Sequence, residues 1–148
     1  MKFLEEKIDR MKIGWNERSF DETDFFRLCK RFGVSVQEMP LTVGGFYYRV
    51  MGRDFIAVNS KLSGATKLVV MFHELGHFLF HTPESGATAN FHGVGRQTRQ
   101  ECEADVFAMC CIIPKVHLES TTPAELIEDD FPADIVAASV AILARYGI

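Results

Sequence analysis

The chain has 148 residues, 47% of them hydrophobic and 24% charged, which suits one compact domain over 1–148 and excludes disorder as the main state. Lys plus Arg number 16 against 20 Asp plus Glu, a formal net charge of −4 with no long run of either sign, so direct nucleic-acid binding is not expected. Met1 to Arg10 lacks the unbroken apolar stretch of a secretory signal, and Ile135 to Ala144 is about half the length of a membrane span, so a cytoplasmic protein without a membrane partner is expected.

Along the chain, Ser19 and Asp21 are candidate caps for a helix through Phe25, Phe26, Leu28 and Cys29, which Gly33 is placed to end. Val34, Val36 and Met39 alternate with Ser35 and Gln37 as far as Pro40. Phe46 to Val50 and Phe55 to Val58 are β-rich runs separated by Met51, Gly52, Arg53 and Asp54. These segments predict a small antiparallel sheet containing a hairpin. Ala65 to Phe80 has no helix breaker except Gly76 and is apolar on nearly every side, so it predicts a buried helix at the centre of the fold. A polar connection from Thr82 to about Arg96 leads to a helix from Thr98 to about Ile112, closed by Pro114. Thr122, Pro123 and Glu125 make an N-cap, first-turn proline and capping acid, and after Phe131 and Pro132 a last helix runs to Gly147. The expected fold class is α+β, with a core at about 20–114 and C-terminal helices at about 122–146. Cys29, Cys102, Cys110 and Cys111 contain no CxxC pair and are expected as reduced thiols without a chemical role.

The informative stretch is His73-Glu74-Leu75-Gly76-His77, an HExxH inside the central helix. Positions four apart lie one above the other on a helix, so both imidazoles can hold one zinc ion, with Glu74 turned roughly 100° away beside its open side. A catalytic zinc takes three protein ligands. His81 lies about 12 Å along the axis from His73, too far for one ion to reach with all three histidines, and is expected as an outer partner of a ligand, as a pocket residue, or simply as the polar end of the helix. Phe80 and Pro83 stand where an HExxHxxGxxH pattern needs glycine and histidine. The better third ligand is Glu101 on the next helix. Asp105, four residues on, shares its face and can accept the free ring N–H of one histidine. Glu103 is the rival ligand; it lies two residues on from Glu101, about 200° around the wheel, and cannot face the ion if Glu101 does.

One zinc ion held this way would polarise a carbonyl while Glu74 takes a proton from water and passes it to the leaving amine, which makes amide hydrolysis the expected reaction. His81, His92, Tyr47 and Tyr48 are possible donors to the oxyanion, and spacing does not choose among them.

Taken together, these residues resemble the ImmA/IrrE family of zinc metallopeptidases. The matching pieces are Phe55 to Asn59 before the zinc helix, His73 to His77 with a further histidine at His81, and Glu101-x-Glu-Ala-Asp105-x-Phe-Ala108 followed by Pro114, a span of roughly Phe20 to Pro114. The resemblance implies His73, His77 and Glu101 as zinc ligands and Glu74 as catalytic acid/base. It implies a small sheet packed against the zinc helix in a minimal thermolysin-like (gluzincin) domain. It also implies cleavage of a partner helix-turn-helix transcriptional repressor, in bacteria or phages. The chain departs from many relatives at Cys110-Cys111-Ile112-Ile113-Pro114, where leucines and a methionine are common, and in the long polar connection from Glu84 to Gln97. The alternative is a zinc-containing binding module that sequesters a repressor without cutting it. An acid between the two histidines favours the enzyme, because a closed structural site needs a fourth protein ligand instead.

Overall fold

The computed structural model describes residues 1–81, 88–91 and 98–147. Contacts divide the chain into two units, Asp21–Ala108 and a second made of Met1–Phe20 with Met109–Ile148.

The unit Asp21–Ala108 opens with helix α1′s successor in the chain: after α1 (Lys2–Met11) of the other unit comes α2, Glu22–Phe32. Asp21 is its cap. The Asp21 carboxylate accepts from the Asp24 N–H and the Asp24 carboxylate accepts from the Asp21 N–H, both at 2.9 Å, a reciprocal box that satisfies two amide donors. Gly33 ends the helix at φ 74°, a left-handed conformation that glycine adopts without strain. Strands β1 (Val34–Met39), β2 (Gly45–Val50) and β3 (Arg53–Asn59) follow. Met51 and Gly52, both at positive φ, close the β2–β3 hairpin with Val50 opposite Arg53.

The sheet differs from the antiparallel one expected. Its order is β1-β3-β2-β4, with β2 antiparallel to β3 and to β4 (Thr88–Phe91), but β1 is parallel to β3. Alternation identifies a strand but not its neighbour, and the chain crosses from β1 to the far side of β3 through residues 40–44. Asn59 at the end of β3 anchors that crossing, its side-chain oxygen accepting from the Leu41 N–H at 3.3 Å and its own N–H donating to Gly44 at 2.8 Å. The strand β4 falls in the segment expected to be a connection. It is four residues long with Gly86 and Gly93 nearby, too short to show a period.

Helix α3, Gly64–His81, lies against β2, β3 and α2, and every residue from Val69 to His77 is buried. Phe25 of α2 meets Phe72 edge-on at 5.6 Å between ring centres, and Tyr47 of β2 meets Phe78 at 5.9 Å. Helix α4, Arg99–Ile112, starts in this unit and brings Ala104, Val106, Phe107 and Ala108 into a fully buried setting.

In the second unit α1 buries Leu4 and Ile8. The Phe20 N–H donates to Cys111 at 2.7 Å, and the Lys115 N–H donates to the Asn16 side chain at 2.7 Å. Short helices α5 (Lys115–Ser120) and α6 (Pro123–Glu128) precede α7, Ala133–Tyr146. Thr122 caps α6 by accepting from the Glu125 N–H, and Gly147 ends α7 in a left-handed conformation. Burial pushes the thiols of Cys29 and Cys110 up to about 12, which leaves them without thiolate character at neutral pH. Among the described residues no helix is long and apolar enough to cross a membrane.

Candidate metal centre

Two glycines set the spacing around α3. A Cβ on Gly76 would lie 3.2 Å from the Phe107 ring and 3.3 Å from the Ala104 Cα, so α3 and α4 approach where both residues are small. That close crossing holds the first turns of α4 against the HExxH turn. On the sheet side, a Cβ on Gly45 would lie 2.6 Å from the Ala57 carbonyl oxygen, 3.0 Å from Val70 and 3.6 Å from Glu74, so only glycine lets β2 pass this close to α3.

The result is a convergence of three side chains. His73, His77 and Glu101 each offer one ligand atom, and these lie within 4.8 Å of one another. Nε2 of His73 is 3.1 Å from Nε2 of His77 and 3.1 Å from Oε2 of Glu101, while Nε2 of His77 is 2.8 Å from Oε1 of Glu101. Ligand atoms at about 2.0–2.1 Å around a tetrahedral ion stand about 3.3 Å apart, close to these separations. The charge balance points the same way. Two imidazoles are surrounded by the carboxyl groups of Glu74, Glu101 and Asp105, an acceptor-rich set suited to a divalent cation.

Glu74 is fully buried beside the cluster, and neither of its carboxylate oxygens closes a well-formed hydrogen bond. Burial, reinforced by the negative charge of Glu101 and opposed by His73 and the nearby Tyr47 amide, pushes its pKa up to about 8. Burial also works against the imidazolium of His73, but Asp105 and Glu101 outweigh it and push that group up to about 9. Burial and the charge on His73 lower His77 to about 4. A buried acid and two oppositely shifted imidazoles in one cluster are the environment of reactive groups more often than of structural ones.

Around the cluster each remaining candidate has a distinct setting. Asp105 lies 2.7 Å from Nδ1 of His73, on the ring edge away from the convergence. Glu103, the rival ligand, faces His81 and Arg99 and is not one of the three converging groups. His81 turns its ring toward Nδ1 of His77 at 3.0 Å. The Tyr47 side chain is fully buried, and its hydroxyl donates to Asp54 at 2.6 Å. That bond commits the hydroxyl, and what Tyr47 turns toward Glu74 is its backbone amide. Tyr48 points to the opposite face of β2, stacked on Phe55 at 5.0 Å. His92 lies outside the described residues. The sequence reading missed the close approaches at Gly45 and Gly76 and the pairing of Glu103 with His81. A glycine inside an otherwise apolar buried helix was the available signal for the first, since it costs helix stability and usually has a packing reason.

Compared with protein families, the chain matches the IrrE N-terminal-like domain, a peptidase family, over residues 29–138. No curated protein and no solved structure matches it. The matched stretch contains the whole convergence on α3 and α4 and runs past Pro114 into α7. The chain belongs to the IrrE N-terminal-like peptidase family.

Proposed function

We propose that this protein is a zinc-dependent endopeptidase that cuts a partner protein, with His73, His77 and Glu101 holding one zinc ion and Glu74 acting as acid and base. The observation that carries the reading is the convergence of two imidazoles and one carboxylate beside a buried carboxyl group without a well-formed hydrogen bond, in a chain of a peptidase family. A zinc ion held there supplies Lewis acidity, drawing electron density from the scissile carbonyl and acidifying water. Glu74, packed between α3 and β2, accepts the proton of the attacking water and delivers it to the departing amine nitrogen. Asp105 holds His73 with Nε2 turned toward the ion.

The substrate class proposed is a helix-turn-helix transcriptional repressor in the cytoplasm of a bacterium or phage host, which rests on the family resemblance of the two motifs. The test is to incubate the zinc-loaded protein and its Glu74→Gln variant with a repressor encoded beside it and to read fragments by mass spectrometry. The wild type is expected to give defined fragments, and the variant to keep zinc and lose about 10²–10⁴-fold in rate. A stable complex with zinc bound and the repressor uncut would replace this reading with that of a sequestering module.

A further inference from the structure

The two ring nitrogens of His77 face different groups. Nε2 belongs to the convergence with His73 and Glu101. Nδ1 lies 3.0 Å from Nδ1 of His81, whose Nε2 in turn lies 3.4 Å from Oε2 of Glu103. The other oxygen of Glu103 accepts from Nε of Arg99 at 3.0 Å. The inner members of this chain are shielded from solvent, with the side chains of His81 and Glu103 only 5% and 15% exposed.

Proton counting makes the order of donors along this chain single-valued. For Nε2 of His77 to offer a lone pair to a metal, its one ring proton must sit on Nδ1. Nδ1 of His81 must then accept that proton's hydrogen bond, so the His81 proton sits on Nε2, where it donates to Glu103. A carboxylate accepts only, so Glu103 enforces this order from the far end. The helical spacing explains why an intermediary is present. Asp105 reaches His73 directly. Glu103 lies opposite His81, one turn beyond His77 on α3, and reaches His77 through the second imidazole.

We propose that His81 and Glu103 are positioning residues, a two-step relay that fixes the tautomer and ring orientation of His77 for metal binding, as Asp105 does in one step for His73. The proposal rests on the reading of His73, His77 and Glu101 as a metal site. Its experiment measures zinc affinity rather than turnover, by competition with a chromophoric chelator at one fixed pH, for the wild type and for His81→Leu, His81→Gln and Glu103→Leu. Thermal melts in chelator report whether each metal-free chain folds. Outer partners of metal-bound histidines contribute roughly 10–100-fold to affinity, and His81→Leu is expected to lose that much. His81→Gln is expected to recover most of the loss, because its amide oxygen can accept from His77 and its amide N–H can donate to Glu103. Glu103→Leu should fall between the two.

Nitrogen spectra of ¹⁵N-labelled imidazoles in the zinc-loaded wild type add a readout that does not depend on any variant folding. They should show the His77 proton on Nδ1 and the His81 proton on Nε2. The opposite tautomer of His81 overturns the relay, as does zinc binding by folded His81→Leu as tight as that of the wild type. A Gln variant as weak as the Leu variant overturns it too, since packing alone would then explain the loss. Failure of the wild type to bind zinc overturns instead the metal-site reading beneath it.

Discussion

At the scale of single residues, Glu74 is fully buried and its proton is held tightly in the metal-free fold. Its pKa of about 8, against an ordinary 4.5, means that the folded chain holds this proton more tightly than the unfolded chain does. The stability this confers is complete below about pH 4.5 and is lost as pH rises through 8. Glutamine has the same shape and no proton to lose. Glu74→Gln is therefore expected to melt above the wild type at pH 9 in the presence of chelator, with the gap closing toward pH 4.5. Equal melting temperatures at pH 9 would mean that Glu74 titrates normally. Much of this residue's placement was legible in the sequence, because HExxH on a helix fixes which side chains share a face. What spacing alone left open was choice among equals. Tyr47, Tyr48 and His81 look alike as donors, and only tertiary contacts assign the first to Asp54, the second to the far face of the sheet and the third to His77.

At the scale of elements, the site depends on how closely α3 and α4 cross. Gly76 and Ala104 meet there with no room for a larger side chain. Gly76→Val adds bulk facing the Ala104 backbone, and overpacking of this kind costs about 1–3 kcal/mol. Because the same crossing holds Glu101 opposite the histidines, zinc affinity should fall with stability, readable by denaturant melts and chelator competition on one sample. A variant of wild-type affinity would show that Glu101 is held by something other than the crossing. Helices α2, α3, α4, α6 and α7 were legible, unlike α1 and α5: the Asp21 cap, the Gly33 stop and the Thr122 cap all lie where the sequence puts them. The sheet was legible only as strands. Alternation in Val34–Met39 marks an extended segment, while its parallel pairing with β3 follows from a chain crossing that has no local signature. Helix α1 has only a weak sequence signal because its Leu4 and Ile8 make a narrow apolar stripe among charges.

At the scale of the molecule, proton binding is linked to folding, and zinc held at the proposed site would be linked to it as well. His73 is raised to about 9 from an ordinary 6.5, so its contribution is present below pH 6.5 and is lost as pH rises through 9, in the same direction as that of Glu74. His77, lowered to about 4, contributes above pH 6.5 and loses that contribution as pH falls through 4. The metal-free chain is therefore expected to lose stability from pH 6.5 to 9. Zinc requires lone pairs on both histidines, so its stabilisation should grow across the same interval. Zinc at 100 times its dissociation constant adds about 2.7 kcal/mol if only the folded chain binds it. Melting curves at pH 6.5 and 9, with chelator and with zinc, test this; parallel pH trends in the two conditions would break the link.

The placement of the two histidines one turn apart on α3, with Glu101 supplied by α4, also bears on the order of folding. A two-nitrogen half-site exists whenever that one helix has formed, whether or not α4 has docked. Helices form in about a microsecond or less, far ahead of the pairing of distant strands. Zinc present during folding would thus meet its first two ligands before the third is in place, and would hold the nascent helix while α4 closes over it. Because partly folded chains then share in the binding, zinc should hasten folding more than its affinity for the finished protein would suggest.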